Sequence, residues 1–272
     1  MCRLIRCVMK GDTPVNWIQW CEDLLAQVAA KEPLSLWEQF NMDFYRSFVQ
    51  GGRWKLYLEG LGNTLLVAVL ALCLGVVLGL LVATIRTAHD QQRPGARKDP
   101  ILGFFNLIAK LYTTVIRGTP AMVQLLIMAF VIFKSSRNLV GVAALAFGIN
   151  SGAYVAEIIR SGLMSVDRGQ MEAGRSLGLS YFTTMRYVVI PQAVKNILPA
   201  LGNELISLLK ETSIVTVIGL RDLTKAAQLV TGKIFGGFMP LFGVALVYLG
   251  LVLLLSAMLN KLERRMRQSD RR

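Results

Sequence analysis

Three stretches of this chain, residues 60–85, 138–156 and 234–260, contain no Asp, Glu, Lys, Arg or His over 26, 19 and 27 residues. A helix of about 20 apolar residues crosses a hydrocarbon core roughly 30 Å thick, where no water is present to satisfy an open backbone. Each stretch is therefore expected to cross a bilayer as a helix, which makes the chain an all-α, polytopic membrane protein. A hydrophobic fraction of 54% with only 17% charge agrees, and excludes a disordered or collagen-like chain.

Two further spans are less plain. Thr119 and Pro120 read as the N-cap and first residue of a helix that opens a short span, 118–136. Lys195, Glu204 and Lys210 interrupt residues 188–212, yet the residues between them are almost wholly apolar, so a span with embedded function is expected there. The first span is expected to open at Asn63 and Thr64 and end before Arg86. Residues 101–116 are amphipathic around Lys110 and are expected to lie along the membrane surface. All four tryptophans precede the first span, and the segment 1–55 suits either an interfacial amphipathic helix or a helix packed on the protein's own flank. No cleavable signal peptide is expected, because Arg3, Arg6 and Lys10 interrupt the start.

A formal charge of +13 raises nucleic acid as a partner, but the cations sit in short connectors and a tail, with no basic helix on a soluble domain. Membrane topology accounts for them instead. Segments 86–117, 157–195 and 261–272 together carry +10, whereas 1–59, 134–137 and 204–233 carry +3. The basic set belongs inside, so the amino terminus is expected outside and the basic tail 263–272 in the cytoplasm. Four cysteines without zinc-finger spacing and a lone His89 give no metal site.

The connector 157–187 carries a distinct pattern. Asp167 with Gln170 resembles a capping box that starts a helix near Arg168. Gly178 ends that helix as a left-handed cap, and Ser180 caps a second helix running toward Pro191. Met171, Gly174 and Leu177 recur every three residues, while Ala173 and Gly174 keep one patch small. Such a rigid elbow suits insertion into a groove on another protein. Glu172 alone would be a surface carboxylate paired with Arg175.

Glu172-Ala173-Gly174, three residues, Gly178, nine residues, then Val188-x-Ile190-Pro191 resembles the EAA loop of binding-protein-dependent ABC importer permeases. Gly174 stands for the second alanine of that pattern. Arg117-Gly118-Thr119-Pro120 with Val123-Gln124, Asn150 to Tyr154 leading to Glu157 and Arg160, and Leu209 to Ser213 resemble its polar amino-acid branch. The resemblance covers about residues 55–262 and leaves out 1–41, with Met42 as an alternative start. It implies a five-helix permease in a bacterial inner membrane, whose Met171, Glu172, Ala173, Gly174, Leu177 and Gly178 dock on an ATPase. It further implies a second permease subunit, two ATPase subunits and an extracytoplasmic amino-acid-binding protein. No G-x-x-x-x-G-K-[ST] occurs, so ATP and Mg belong to the partner ATPase and this chain needs no cofactor of its own.

Ionisable groups at membrane depth are costly and usually face a bundle interior or a water-filled path. Asn203 and Lys210 are seven residues apart, as are Glu204 and Glu211, so each pair shares a helical face. These four are the candidate substrate-path residues. A bundle-internal Glu204 with an interfacial Lys210–Glu211 pair is the structural alternative. An ion-coupled secondary transporter or channel is the rival function, although it predicts an internal repeat that the sequence lacks. An intramembrane enzyme lacks a nucleophile–base pair.

Overall fold

The structure, a computed structural model, describes residues 14–29, 33–91 and 99–269. Every regular element among them is helical: α1 Pro14–Ala29, α2 Leu36–Phe44, α3 Trp54–Asp90, α4 Pro100–Gly118, α5 Ala121–Ile127, α6 Leu139–Met164, α7 Arg168–Ser176, α8 Tyr181–Thr184, α9 Ile190–Glu211, α10 Leu223–Ile234 and α11 Phe238–Ser269. A π-turn, Met128–Ile132, extends α5, and another, Met185–Val189, joins α8 to α9.

Helices α3, α6 and α11 are long and apolar enough to cross a membrane. A further span is possible if α4 and the α5 segment count as one broken element, bent by 106°. That bend follows from the sequence: Thr119 is extended, Pro120 supplies no N–H, and α5 starts at Ala121 with Pro120 as its cap. Pro120 is thus the cap, one place later than the expected Thr119, whose hydroxyl donates back to Val115 O at 2.9 Å. Gln124 holds the corner. Its amide donates to Ile116 O at 2.8 Å and Thr119 Oγ1 at 2.7 Å, and its carbonyl accepts from Asn150 on α6 at 3.0 Å.

The tightest seam joins α3 to α6. Small residues line both sides: Gly75 and Gly79 on α3, Gly148 and Gly152 on α6, each pair four apart on one helical face. Gly75 meets Ser151 and Gly79 meets Val155, while Gly148 meets Leu74 and Gly152 meets Leu78. Partner numbers rise together, so the two helices run parallel. The core around this seam gathers Val67, Ala71, Leu125, Phe147, Leu208 and Val215 from α3, α5, α6, α9 and the 3₁₀ turn Thr212–Ile218 that follows α9.

Several boundaries differ from the sequence expectation for a common reason: helices run past the apolar stretches wherever flanking polar groups find partners. Helix α3 begins at Trp54, with Asn63 and Thr64 inside it. Asn63 donates to Arg221 O at 2.8 Å, and the Thr64 hydroxyl accepts from Leu223 N at 3.2 Å. Helix α6 continues past Glu157 to Met164. The stretch 234–260 is broken at its start, because Phe235 has φ +53° and ends α10, so the last helix begins only at Phe238. Residues 263–269 of the basic tail continue that helix. His89, expected in a connector, lies in the last turn of α3.

The amino-terminal helices pack on the bundle and also present an apolar face. Cys21 and Leu24 are buried, and burial pushes the Cys21 thiol up to about 11. Trp17 meets Tyr45 edge-on at 5.9 Å, and Phe48 reaches Tyr57 at 5.1 Å. Trp37 and Phe40 stack on one another and remain exposed.

Candidate functional site

Two places carry candidate chemistry: the elbow between α6 and α9, and a cavity between those same helices. In the elbow, Asp167 caps α7 by accepting from Gly169 N at 2.8 Å. The reciprocal half of a capping box is missing, because the Gln170 carbonyl accepts from Gln192 at 3.3 Å instead. The helix closes as a Schellman turn: Leu179 N bonds Gly174 O at 3.1 Å, Gly178 N bonds Arg175 O at 3.0 Å, and Gly178 takes φ +80°. Ser180 then caps α8, accepting from Thr183 N at 3.2 Å.

Gly174 has a reason of its own. A Cβ there would lie 2.5 Å from Thr184 Cγ2, and Thr184 is fully buried. Glycine lets α7 close on α8, where alanine would force them apart. Glu172, Ala173, Leu177 and Gly178 are exposed and Met171 is half-buried, so these five line the open side while Gly174 packs inside. Glu172 makes no ion pair with Arg175. Sequence reading missed Phe182, 83% exposed beside Leu177 at 82%. The elbow thus leaves two large apolar side chains exposed. Tyr181 ties the elbow to the end of α3 by donating to Gln91, and burial raises its phenol above the ordinary range.

The cavity, about 400 Å³, is lined by Arg117 from the α4 end, Tyr154, Glu157 and Ser161 from α6, and Asn196 and Glu204 from α9. Glu204 is half-buried, and its carboxylate accepts from the fully buried Ser151 hydroxyl at 2.7 Å. Arg117 lies over the Tyr154 ring at 5.4 Å and within 4.0 Å of Glu157. Glu157 also takes Arg86 at 3.2 Å and Arg160 at 2.6 Å. The lining thus holds the Arg117 guanidinium, beside Glu157, and the Glu204 carboxylate, which lacks a cationic partner among the described residues. Such a chamber suits a small solute carrying both signs.

Of the four candidate path residues, only Glu204 lines this cavity. Glu211 is half-buried two turns further along, and Asn203 and Lys210 are exposed on another side of α9. Arg117, Tyr154 and Glu157 were missed as site residues. Their signal was present in the polar motifs around 117–120 and 150–160, but those motifs are far apart in the chain.

Comparison with known proteins settles what the bundle is. The sequence pattern of the binding-protein-dependent transport system inner membrane component matches residues 101–268. The chain belongs to this family. It is 38% identical over 216 residues to the glutamine transport system permease protein GlnP of Escherichia coli, covering 78% of this chain and 93% of that protein. It is 37% identical over 235 residues to the arginine transport system permease protein ArtQ of Bacillus subtilis, covering 85% and 100%. The crystal structure of an amino acid ABC transporter with histidines aligns with a TM-score of 0.69 at 42% identity, over 78% of this chain and 94% of that one. The MetNI methionine ABC transporter in an inward-facing form aligns at 0.67 with 20% identity, over 80% and 99%, which shows a shared fold. The chain is therefore a membrane-embedded permease of a bacterial ABC importer, and the reading as an ion-coupled transporter or channel falls away.

Proposed function

We propose that this permease passes a polar or charged amino acid through the Arg117–Glu204 cavity. The observation that carries the reading is that Arg117 and Glu204, of opposite charge, line one cavity between α4, α6 and α9. Arg117 would hold the substrate carboxylate, and Glu204 its ammonium group or a cationic side chain. Relatives named for glutamine and arginine transport support that substrate class.

The chain crosses the membrane five times: α3, the α5 segment, α6, α9 and α11. The amino terminus lies outside and the carboxyl terminus in the cytoplasm, a placement that the charge distribution supports. The elbow α7–α8 then faces the cytoplasm and docks on an ATPase that binds ATP and Mg. Two permease and two ATPase subunits receive substrate from an extracytoplasmic binding protein, and the exposed Leu177 and Phe182 support such docking. Movement of the elbows alternates access to the cavity.

Uptake into proteoliposomes on an amino-acid panel tests the reading. Glu204→Gln keeps the side-chain size and removes the charge. Transport of a cationic amino acid should fall by more than that of a neutral one, while ATPase activity without binding protein is unchanged. Equal loss across the panel, with loss of assembled complex, would make Glu204 a structural residue and overturn the assignment.

A further inference from the structure

A second cavity, about 280 Å³, lies on the other side of Arg117 and is lined by Arg86, Lys110, Thr113, Thr114, Arg117 and Glu157. Four of these come from α4 at positions i, i+3, i+4 and i+7, a single helical face. Arg86 enters from α3 and Glu157 from α6. The lining holds three cations and one carboxylate.

That carboxylate is already in use. Glu157 Oε2 serves Arg86 and Arg117, and Oε1 serves Arg160. Lys110 forms no ion pair, and the Thr114 hydroxyl has no hydrogen-bond partner, among the described residues. The cleft therefore carries a surplus of positive charge with donors left over. Leu107 and Leu111, three residues before Lys110 and Thr114 respectively on α4, adjoin the cleft and are 64% and 62% exposed, and the exposed apolar surface continues round the helix through Phe104, Ile108 and Val115. A cationic cleft bordered by exposed apolar side chains has two parts, one for a charged head and one for hydrocarbon.

We propose that this cleft binds the phosphate of an anionic phospholipid, with the acyl chains lying along the exposed face of α4. Arg86 and Arg117 present planar forks to phosphate oxygens, and Lys110 adds a point charge at the mouth. A soluble anion would use the cations but leave the apolar stripe uncovered, so a lipid fits both parts. Phosphate and Glu157 draw on the same guanidiniums, which places a membrane lipid next to the wall that separates this cleft from the Arg117–Glu204 cavity. Arg117 borders both this cleft and the proposed substrate cavity, whereas Lys110 lines the cleft alone, so a change at Lys110 tests the lipid site separately from the substrate reading.

The test uses the permease purified in its assembled complex, placed in nanodiscs of equal phosphatidylglycerol and phosphatidylcholine, then extracted and weighed by native mass spectrometry. The wild type should keep phosphatidylglycerol in preference to phosphatidylcholine, and millimolar inorganic phosphate should not displace it. Lys110→Gln removes a cation that pairs with no protein group, so folding is spared. It should lower phosphatidylglycerol retention about fivefold, the effect of about one surface cation. Lys134→Gln, in the loop after the α5 segment, should leave retention unchanged. Equal retention of both lipids, full retention by Lys110→Gln, or displacement by inorganic phosphate would each overturn the proposal, the last by marking a site for a soluble anion.

Discussion

A single methyl group tests the seam between α3 and α6. In Gly79→Ala the new Cβ would stand 2.5 Å from Val155 Cγ1, 2.7 Å from Val155 Cβ and 2.9 Å from Ala156 N. Carbon atoms in good contact are about 3.5–4.0 Å apart, so the helices must part by roughly 1 Å. Val155 is fully buried and Ala156 N is backbone, so neither can swing aside. Overpacking of this kind costs about 1–3 kcal/mol. Alanine is also a better helix former than glycine, by about 1 kcal/mol, which would hide part of the cost. Gly62→Ala supplies the correction, because Gly62 lies in the same helix with nothing within 4 Å of its added Cβ. The difference between the two variants should therefore be about 1–3 kcal/mol, with the helix term cancelled. Thermal unfolding of both in one detergent reads it as a gap of about 2–4 °C per kcal/mol. If Gly79→Ala melts at or above Gly62→Ala, the seam is looser than these distances say and the reasoning fails.

Three further outcomes are expected. Gly178→Val places a β-branched residue at φ +80°, so the permease should insert normally while binding protein no longer stimulates ATP hydrolysis; normal stimulation would remove the docking role of the elbow. Single cysteines at Ser135 and Ser269, in a background lacking the native cysteines, should label from opposite sides, and reaction of position 269 with an impermeant reagent in intact cells would reverse the topology. Gln124→Leu leaves Asn150, 4% exposed, without its carbonyl partner; it should destabilise by about 1–3 kcal/mol in denaturant titration, and no change would show that the α4–α5 corner holds without it.

Three spans were legible because charge is absent from them, and the elbow because Gly178 and Ser180 punctuate it locally. Their limits were less so. Glu157 reads as a stop, yet Arg86, 71 residues earlier, bonds it at 3.2 Å, and the helix goes on. Asn63 and Thr64 read as a start, but their partners lie beyond residue 220. Pattern rules see neighbours in sequence, whereas these polar groups are satisfied across the bundle. The same limit applies to the site. Glu204 stood out alone because a carboxylate in an apolar segment is expensive, whereas Arg117 and Tyr154 gain meaning only when α4 and α6 bring a guanidinium over a ring. Gly174 looked like a mild departure from an alanine pattern until Thr184 was found against it.

The parallel glycine seam also decides how torque travels. Helix α6 passes into the elbow through Ser165, Val166 and Asp167 alone, and Tyr181 grips the far end of α3. Two shafts meshed without clearance turn as one. A twist delivered at α7, as the proposed docking implies, would therefore be shared by α3 and α6 along their length and passed to the α4–α5 corner through Asn150–Gln124 and Glu157–Arg117.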